Sequence, residues 1–545
     1  MPHALAALPL LAALPLIPAT PATDPILPQA LSADVQVLAS DAFGGRAPGT
    51  AGETKTVEWL IAQFKAAGLQ PGGPDGRWTQ AVALIRTRIG DGPVHANGVA
   101  WTPGKDVYLS TVRPVERAVV DKAPLVFVGY GVSAPERGWD DFKGVDLKGK
   151  VAVFLVNDPD FEATATDDAT GKFGDRRMTY YGRWTYKFEE AAKRGAVAAL
   201  IVHDTPGAGY GWATVTAPAG ENYDVARPPF PRVLLQGWIE GGAAARLFAA
   251  AGLDLAQQRI AARRSDFRPV VLKGEGFSAA LPVTTTRAES RNVLAKLPGR
   301  ARPDEVVMYG AHWDAYGEGA PDAQGRRIRP GANDDALGTA GVLAIARAAA
   351  KARPTARTQV FALWTGEERG LLGSETYAAD PVYPAAKTVA NLTLDILQTA
   401  GPARDVLLVG NGQNTLEDAL SAAAMAQNRV VTSEALPERG LFYRADHFSL
   451  ARRGVPTLLL MAISGAPDLV AGGRAAGQAW LDGYMRCYHQ TCDAWSRDWD
   501  LRGAAADVEL VRRIGFDLAN GATWPEWRSG SEFAAIRQQT VAQRR

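Results

Sequence analysis

At 545 residues the chain exceeds the roughly 250 to 300 residues at which a single hydrophobic core stops growing, so we expect two or more domains. Apolar residues make up 47% of the sequence and charged residues 21%, which is typical of a globular protein rather than a disordered or fibrous one. Lysine and arginine (59) nearly balance aspartate and glutamate (58), which argues against nucleic acid or an anionic membrane as a partner. The composition predicts a soluble protein with a small substrate.

The first residues form an apolar stretch, 4–17, which contains Pro9 and Pro15 and is too short to span a bilayer. A short apolar stretch followed by small residues is typical of a signal peptide. We therefore predict a signal peptide over residues 1–22 and an exported protein, either periplasmic or secreted. No later segment reaches about eighteen uninterrupted apolar residues, so no membrane span is expected.

Hydrophobic periodicity divides the remaining chain into three segments. Residues 23–119 are predicted to open a larger domain and include a helix over 52–67. Residues 120–270 hold no cluster of metal-binding side chains and are predicted to form a separate unit, with a helix and a strand over 188–202. Residues 271–545 alternate short apolar runs with helix-period segments, which predicts a layered α/β domain with a largely parallel sheet. In this last segment we predict strands at 306–309, 360–364, 392–396, 406–409 and 457–461, and helices at 336–349, 371–377, 415–426 and 504–518.

Two adjacent glutamates, Glu367 and Glu368, follow the apolar run 360–364, which is predicted to be a buried strand. In parallel α/β sheets, functional sites gather beyond the carboxyl ends of the strands. Other side chains of types found at metal sites are predicted to lie at further strand ends, namely His312, Asp314, Asp334, Asp335, Asp395 and His489. Several such side chains together indicate a metal site more strongly than one acidic pair does.

The candidate ligands His312, Asp334, Glu368, Asp395 and His489 are two imidazoles and three carboxylates, a set that zinc accepts. Five ligands on one ion would close its coordination sphere. Two ions bridged by one carboxylate, about 3.5 to 4 Å apart, would leave each ion with two further protein ligands. Three carboxylates and a shared hydroxide would also neutralise two Zn²⁺. The sequence therefore predicts two zinc ions, although cobalt or manganese would suit the same ligands.

Cys487 and Cys492 are the only cysteines, and their spacing is compatible with coincidence, a zinc pair or a disulfide. Export favours the disulfide. Because so small a loop removes little chain entropy, the expected role of this bridge is to hold Tyr488 and His489 in one orientation.

The sequence resembles the co-catalytic zinc aminopeptidases of the transferrin-receptor-like type, a family that includes secreted bacterial aminopeptidases and glutamate carboxypeptidases. The resemblance covers essentially the whole chain after residue 22, and it implies a three-layer α/β/α peptidase domain with a mixed, largely parallel sheet. It also implies that residues 120–270 form an inserted, β-rich protease-associated domain. The motifs that carry the resemblance are Ala311-His312-Trp313-Asp314, Gly331-Ala332-Asn333-Asp334-Asp335-Ala336, Gly366-Glu367-Glu368-Arg369-Gly370, the segment 391–395 and Cys487-Tyr488-His489-Gln490-Thr491-Cys492.

The resemblance implies a role for each matching residue. Asp334 would bridge the two metals, with one metal held by His312 and Asp395 and the other by Glu368 and His489. Glu367 would be the general acid/base that takes a proton from the attacking water and returns it to the leaving amine. Tyr488 would hydrogen-bond the developing oxyanion, and Asp314 would orient His312. The peptide bond between Asp334 and Asp335 is expected to be cis.

Four further residues are expected near the ligands or the substrate rather than on the metals. Asp335 is expected to cap the following helix. His447 lies in a segment similar to the family's Ser-Asp-His sequence, with Ala445 in place of the serine, and is expected to be either pocket wall or a neighbour of the ligands. Arg444 and Arg369 are candidates for binding a terminal carboxylate, although arginines beside such motifs are usually structural.

We predict an exported aminopeptidase that hydrolyses the N-terminal bond of a peptide substrate. The alternatives are a carboxypeptidase or dipeptidase of the same fold, and a non-catalytic peptide-binding relative. A glutaminyl cyclase, which uses one zinc, is disfavoured because all five ligand positions are filled. The sequence indicates neither the preferred side chain nor the oligomeric state.

Overall fold

The computed structural model describes residues 26–544, so the predicted signal peptide over 1–22 lies outside the described residues. Within that range, no helix combines the length and apolarity that a transmembrane segment requires. The helices are α1 (Pro28–Leu38), α2 (Ala51–Ala66), α3 (Trp184–Lys193), α4 (Thr205–Ala208), α5 (Trp212–Thr216), α6 (Gly241–Ala250), α7 (Leu255–Ala261), α8 (Leu337–Lys351), α9 (Leu372–Ala379), α10 (Leu416–Ala426), α11 (His447–Ala451), α12 (Gly473–Met485), α13 (Arg502–Asn520) and α14 (Ala534–Gln539). The strands are β1 (Gln70–Pro71), β2 (Thr79–Ile89), β3 (Val94–Ala96), β4 (Val99–Ala100), β5 (Val107–Ser110), β6 (Arg117–Phe127), β7 (Ser133–Ala134), β8 (Trp139–Asp140), β9 (Val151–Leu155), β10 (Ala198–Val202), β11 (Glu221–Val225), β12 (Leu235–Ile239), β13 (Val270–Leu297), β14 (Arg302–His312), β15 (Gly317–Glu318), β16 (Ile328–Arg329), β17 (Arg357–Trp364), β18 (Thr388–Leu394), β19 (Asp405–Leu408), β20 (Val430–Ser433) and β21 (Thr457–Leu460).

The main sheet runs in the order β21, β18, β14, β17, β13. The pairs β21 with β18, β18 with β14 and β14 with β17 are parallel, whereas β13 is antiparallel to β17 and to β2. This confirms the predicted mixed, largely parallel sheet. The strands and helices predicted for residues 306–518 are present, and β14 extends beyond the predicted apolar run at both ends.

Helices cover both faces of this sheet, because its central strands are apolar on both sides. All of β17 is buried. Its Phe361 and Leu363 face a core shared with helices α1, α2, α8 and α13, whereas Val360 and Trp364 face a second core that includes Tyr377 of α9. Alternate side chains of one strand therefore enter different cores. The fold is the expected three-layer α/β/α arrangement.

A second sheet is joined to the first through the long strand β13, which pairs with β6 before it enters the main sheet. Strands β6, β9, β10 and β12 are parallel neighbours, and β5 closes the edge in antiparallel orientation. Helices α3 and α6 pack on opposite faces, with Phe188 in one core and Phe248 in the other. This unit is therefore mixed α/β rather than merely β-rich, because its parallel strands need helical crossovers.

The sequence boundaries 119/120 and 270/271 fall inside β6 and at the start of β13. Strands β3 and β5, which precede residue 119, also pair with the second sheet. Short apolar runs do not reveal which sheet they join, so periodicity alone does not locate such a boundary.

Arg452 ties the two units together. Its guanidinium lies 2.7 Å from Glu189 of α3 in the second unit and 3.2 Å from Glu375 of α9 in the first. These side chains are only 11%, 12% and 16% exposed. The second unit is thus held against the main sheet through a largely buried, charge-assisted contact.

Candidate metal centre

Parallel strands bring several predicted ligands to one edge of the main sheet. His312 is the last residue of β14, Asp395 directly follows β18, and Glu367 and Glu368 follow β17 in a short turn. Because β14 lies between β17 and β18, the carboxyl ends of these strands meet. The strand-end prediction is correct for these four residues.

The strand-end prediction is wrong for Asp334 and His489. Asp334 lies in a bend, Ala332–Ala336, that leads into α8, and His489 lies in a turn after α12. Both are nevertheless brought to the same sheet edge, because the bend is bonded to the loop that carries His489. Sequence periodicity contains no information about that loop-to-loop contact.

Two groups of candidate ligands share one carboxylate. The first group is His312, Asp334 and Asp395, and the second is Asp334, Glu368 and His489; in each group, one ligand atom per residue lies within 4.8 Å of the others. His312 Nε2 lies 3.1 Å from Asp334 Oδ1, whereas His489 Nε2 lies 3.1 Å from Asp334 Oδ2. The two oxygens of Asp334 therefore face different groups.

Several candidate metal-ligating atoms in these groups are buried without a hydrogen-bond partner. They include Asp395 Oδ1 and His489 Nε2. His489 Nε2 is 3.1 Å from Glu368 Oε2, yet the geometry gives no hydrogen bond. Buried polar atoms are normally paired, and one such unpaired atom in each ligand group is what a pair of bound cations would satisfy.

The pKa values of these carboxyl groups, with no metal bound, also indicate a site for cations. Burial, followed by the charge of Asp334, raises the pKa of Asp395 to about 8. Burial likewise raises the pKa of Glu367 well above its usual value, although the nearby His312 opposes the rise. Asp334 behaves differently: burial raises its pKa, but a hydrogen bond with His312 and the charges of His312 and His489 outweigh it, and its pKa is lowered. The cluster is rich in buried negative charge, which bound cations would neutralise.

Asp314 was expected to orient His312, and the structure partly agrees. His312 Nδ1 lies 3.0 Å from the backbone oxygen of Asp314 and 3.6 Å from its Oδ1. The Asp314 carboxylate instead accepts a hydrogen bond from the backbone N–H of Glu367, at 3.1 Å. Asp314 thus contacts the imidazole mainly through its main chain and places Glu367 through its side chain.

Asp335 is fully buried, and its carboxylate links the bend 332–336 to helix α8 and to His312 by hydrogen bonds. Its Oδ1 accepts a hydrogen bond from the N–H of Gly338 in the first turn of α8, at 2.8 Å, as a capping residue does. Its Oδ2 accepts one from the N–H of His312, at 3.2 Å. The peptide bond between Asp334 and Asp335 is cis, as the resemblance implies.

Cys487 and Cys492 form a disulfide, with Cα atoms 5.1 Å apart. Of the three alternatives that the sequence left open, the structure therefore has the disulfide. The loop between them carries Tyr488 and His489, whose rings lie 3.6 Å apart between centroids. Burial, followed by the charge of Asp334, raises the pKa of Tyr488 well above its usual value, so its hydroxyl keeps its proton.

His447 and Arg444 occupy different surroundings. His447 is fully buried and packs edge-on against Phe442, with ring centroids 4.8 Å apart, so it lines no open pocket wall. Its two ring nitrogens have no hydrogen-bond partner among residues 26–544, and burial lowers its pKa to about 3. Arg444 is exposed. Its charge opposes the rise in the pKa of Tyr488 that burial causes.

Two residues near the centre were missed by the sequence analysis. Asp493 accepts hydrogen bonds from the backbone N–H groups of Asn333 and Asp334, at 3.0 and 3.1 Å. Arg46, fully buried, donates to the carbonyl oxygens of Trp313, Leu38, Pro330 and Gly331 at 2.6 to 2.9 Å. A signal for Asp493 was its position next to Cys492 in the ligand-bearing motif. No sequence signal indicated Arg46, because it lies 285 residues from the loop that it binds.

A small open cleft reaches this centre. Asp334, Glu368 and His489 line it together with Tyr316, Arg329 and Gln490. The second ligand group is therefore accessible from outside the protein.

The two ligand groups that share Asp334 form a candidate two-metal centre at the edge of an α/β sheet. Residues 292–511 match Peptidase family M28, a segment that contains every candidate ligand. This match confirms the predicted resemblance for residues 292–511.

Similar proteins were found in two further comparisons. The chain is 29% identical over 227 residues to leupeptin-inactivating enzyme 1 of Streptomyces exfoliatus, covering 41% of this chain and 48% of that protein. It is 29% identical over 227 residues to an aminopeptidase of Pseudomonas aeruginosa, covering 39% and 38%. These matches thus span less than half the length of either relative. Among solved structures, the aminopeptidase from Aneurinibacillus sp. strain AM-1 aligns with a TM-score of 0.49 and 20% identity, covering 92% of this chain and 95% of that one.

Proposed function

We propose that the protein is a dizinc metallo-exopeptidase that removes the N-terminal residue of peptides. The observation that carries this proposal is the sharing of Asp334 between two ligand groups, each completed by one histidine and one further carboxylate. The unpaired Asp395 Oδ1 and His489 Nε2 support it, because both atoms are types that zinc binds. His312 and Asp395 would hold one ion, and Glu368 and His489 the other.

The chemistry divides between the metals and the protein. Two bound zinc ions would polarise the scissile carbonyl and lower the pKa of a water molecule. Glu367 takes the proton of the attacking water and passes it to the leaving amine, since its carboxylate lies beside the ligands, 3.8 Å from His312 Nε2, without being needed as one of them. Tyr488 keeps its proton and donates a hydrogen bond to the developing oxyanion.

A free amino terminus is the natural substrate handle in this site. The buried carboxylates of Glu367 and Asp395 lie 3.8 and 4.0 Å from the same atom, His312 Nε2, and the charge of Asp395 adds to burial in raising the pKa of Glu367. An ammonium group would pair with them while the peptide carbonyl reaches the metals. This arrangement favours cleavage of the first peptide bond and excludes substrates with an acetylated amino terminus.

A second candidate is a dipeptidase or carboxypeptidase that binds a substrate carboxylate, and one observation favours it. Arg183, at the start of α3, is buried, and its Nε has no hydrogen-bond partner. Within residues 26–544, neither Arg183 nor Arg444 has an ion pair with a carboxylate. Burial, followed by the charge of Arg444, lowers the pKa of Arg183 to about 10. A bound carboxylate would relieve this unpaired positive charge.

We further propose that residues 120–270 are a protease-associated domain that shapes access to the site. Tyr223 of this segment stacks on Arg369 beside the glutamate pair, and the charges of Arg183 and Arg444 oppose the rise in the pKa of Tyr210 that burial causes. Export is part of the same proposal. The disulfide supports it, because disulfides persist mainly in oxidising compartments.

Peptides with different ends test these candidates directly. The purified protein is incubated with one peptide set in three forms, free at both ends, N-acetylated or C-amidated, and products are read by mass spectrometry. A chelator-treated sample is the control. Loss of single N-terminal residues from free and amidated peptides, but not from acetylated ones, is the expected result. Cleavage of acetylated peptides from the carboxyl end would instead favour the second candidate, and no cleavage by zinc-loaded protein would contradict both.

A further inference from the structure

Arg369 follows the glutamate pair directly and is held between two aromatic rings. Its guanidinium carbon lies 4.7 Å from the ring centre of Tyr316 and 4.9 Å from that of Tyr223. No ion pair joins Arg369 to a carboxylate within residues 26–544. The two rings are therefore the contacts that hold its guanidinium, because each ring face attracts a cation placed over it.

The stack continues to a candidate metal ligand. The ring of Tyr316 lies 4.4 Å from the imidazole of His489 between centroids, tilted by 40°. On the far side, Tyr223 belongs to β11 and donates a hydrogen bond from its hydroxyl to Glu221, at 3.0 Å. Glu221 is in turn bound by Arg88, at 2.9 Å, from strand β2. One continuous set of contacts thus runs from the edge of the main sheet to His489.

The same stack acts on Glu368, the other ligand of that group. Arg369 is its immediate neighbour in the turn Glu367–Arg369, so fixing the arginine side chain restrains the turn. Among residues 26–544, no aromatic ring packs in this way on the first ligand group, since His312 ends β14 and Asp395 follows β18, both interior strands of the sheet. The two ligand groups therefore differ in how they are held.

We propose that Arg369, clamped between Tyr223 and Tyr316, is a positioning residue that orients His489 and Glu368 and so sets the affinity of the second metal site. Through Tyr223, the segment 120–270 takes part in building this site and does not merely flank it. The inference rests on the proposed two-metal function. Arg369 thereby acts through neighbouring ligands and not on a substrate carboxylate, contrary to the alternative that the sequence left open.

Zinc titration of the full-length protein against a chromophoric chelator tests the inference. Arg369→Met is expected to weaken one of two zinc-binding steps about 10- to 100-fold and to leave the other within about twofold. Arg369→Lys keeps the charge but not the planar face, and should give an intermediate loss. Arg194→Met is the matched control, because it removes a cation–π contact to Phe142 in the second unit, at 3.8 Å.

The tyrosine variants keep the test decisive if Arg369→Met does not fold. Tyr223→Phe retains the ring face and should bind zinc like the unaltered protein, whereas Tyr223→Leu should reproduce the loss at one site. Equal zinc affinities for Tyr223→Phe, Tyr223→Leu and the unaltered protein would overturn the inference while leaving the two-metal function intact. Failure of the unaltered protein to bind zinc would instead overturn the proposed function itself.

Discussion

The carboxylate of Asp493 accepts a hydrogen bond from the backbone N–H of Asp334, at 3.1 Å, which connects the disulfide loop to the bridging position. His489 lies four residues before Asp493 in the same loop. One short segment thus supplies a candidate ligand to the second group and fixes the residue that both groups share. The geometry of the centre depends on this loop as much as on the sheet.

Asp493→Ala should weaken zinc binding about 10- to 100-fold, because the backbone of Asp334 loses its anchor. It should also destabilise the protein by about 1 to 3 kcal/mol for each buried N–H group left unpaired. Asp140→Ala is the matched control, since Asp140 binds the N–H groups of Phe142 and Lys143 far from the centre. Zinc competition and urea unfolding are the measurements. Unchanged zinc affinity in Asp493→Ala would show that the loop does not position Asp334.

Substitutions of the two adjacent glutamates should have different effects on activity and on zinc content. Glu367→Gln should keep both zinc ions and lose roughly 10² to 10⁴ in kcat, because proton transfer is removed while the ligands remain. Glu368→Gln should instead lose zinc from one site. Metal analysis of dialysed protein, combined with steady-state kinetics, separates these outcomes. Substantial activity in a fully zinc-loaded Glu367→Gln protein would place the general base elsewhere.

The disulfide should affect metal binding more than global stability. The bridge between Cys487 and Cys492 closes a short loop, so its contribution through chain entropy is small. Replacing both cysteines by serine frees His489 and Tyr488, and zinc affinity should fall while the melting temperature of the metal-free protein changes little. The opposite pattern, a large loss of thermal stability with unaltered zinc binding, would make the bridge purely structural.

Acid should destabilise the metal-free protein partly through His447. Burial lowers its pKa to about 3, below the ~6.5 of an exposed histidine. The stability that this neutral group contributes is fully present above pH ~6.5 and is lost as the pH falls toward 3. Each pH unit in that window corresponds to about 1.4 kcal/mol, which gives about 2 kcal/mol between pH 6.5 and 5.

The measurement is urea unfolding at pH 7 and pH 5 with chelator present throughout. His447→Phe should show a stability difference between the two pH values that is smaller by this amount than in the unaltered protein. His95→Gln is the control, because His95 is exposed. Equal pH dependence in His447→Phe and the unaltered protein would show that His447 is protonated without unfolding.

Periodicity and motif order predicted much of the fold. The run 360–364 within β17 is apolar without interruption, so its burial on both faces was predictable, as were α8 and the largely parallel sheet. The points where the second unit joins the main sheet were not predictable from the sequence. Strand β13 spans 28 residues and serves both sheets, and no local pattern marks where it passes from one to the other.

Loop contacts account for what the sequence could not indicate at the site. His312 and Asp395 follow strands, and their convergence follows from parallel pairing. Asp334 and His489 meet only because Asp493 binds the bend before α8, a contact across 159 residues. The stacking of Arg369 between Tyr223 and Tyr316 is similarly long-range, so the sequence left the role of that arginine open.

Zinc stoichiometry tests the central claim most directly, because the account requires two metal ions that share Asp334. The unaltered protein, stripped with chelator, reloaded with zinc and passed through a desalting column, should retain two zinc ions per chain by mass-spectrometric metal analysis. Asp334→Ala should retain none or one, bound weakly. A single tightly bound zinc in the unaltered protein, or two retained by Asp334→Ala, would contradict the shared-carboxylate centre.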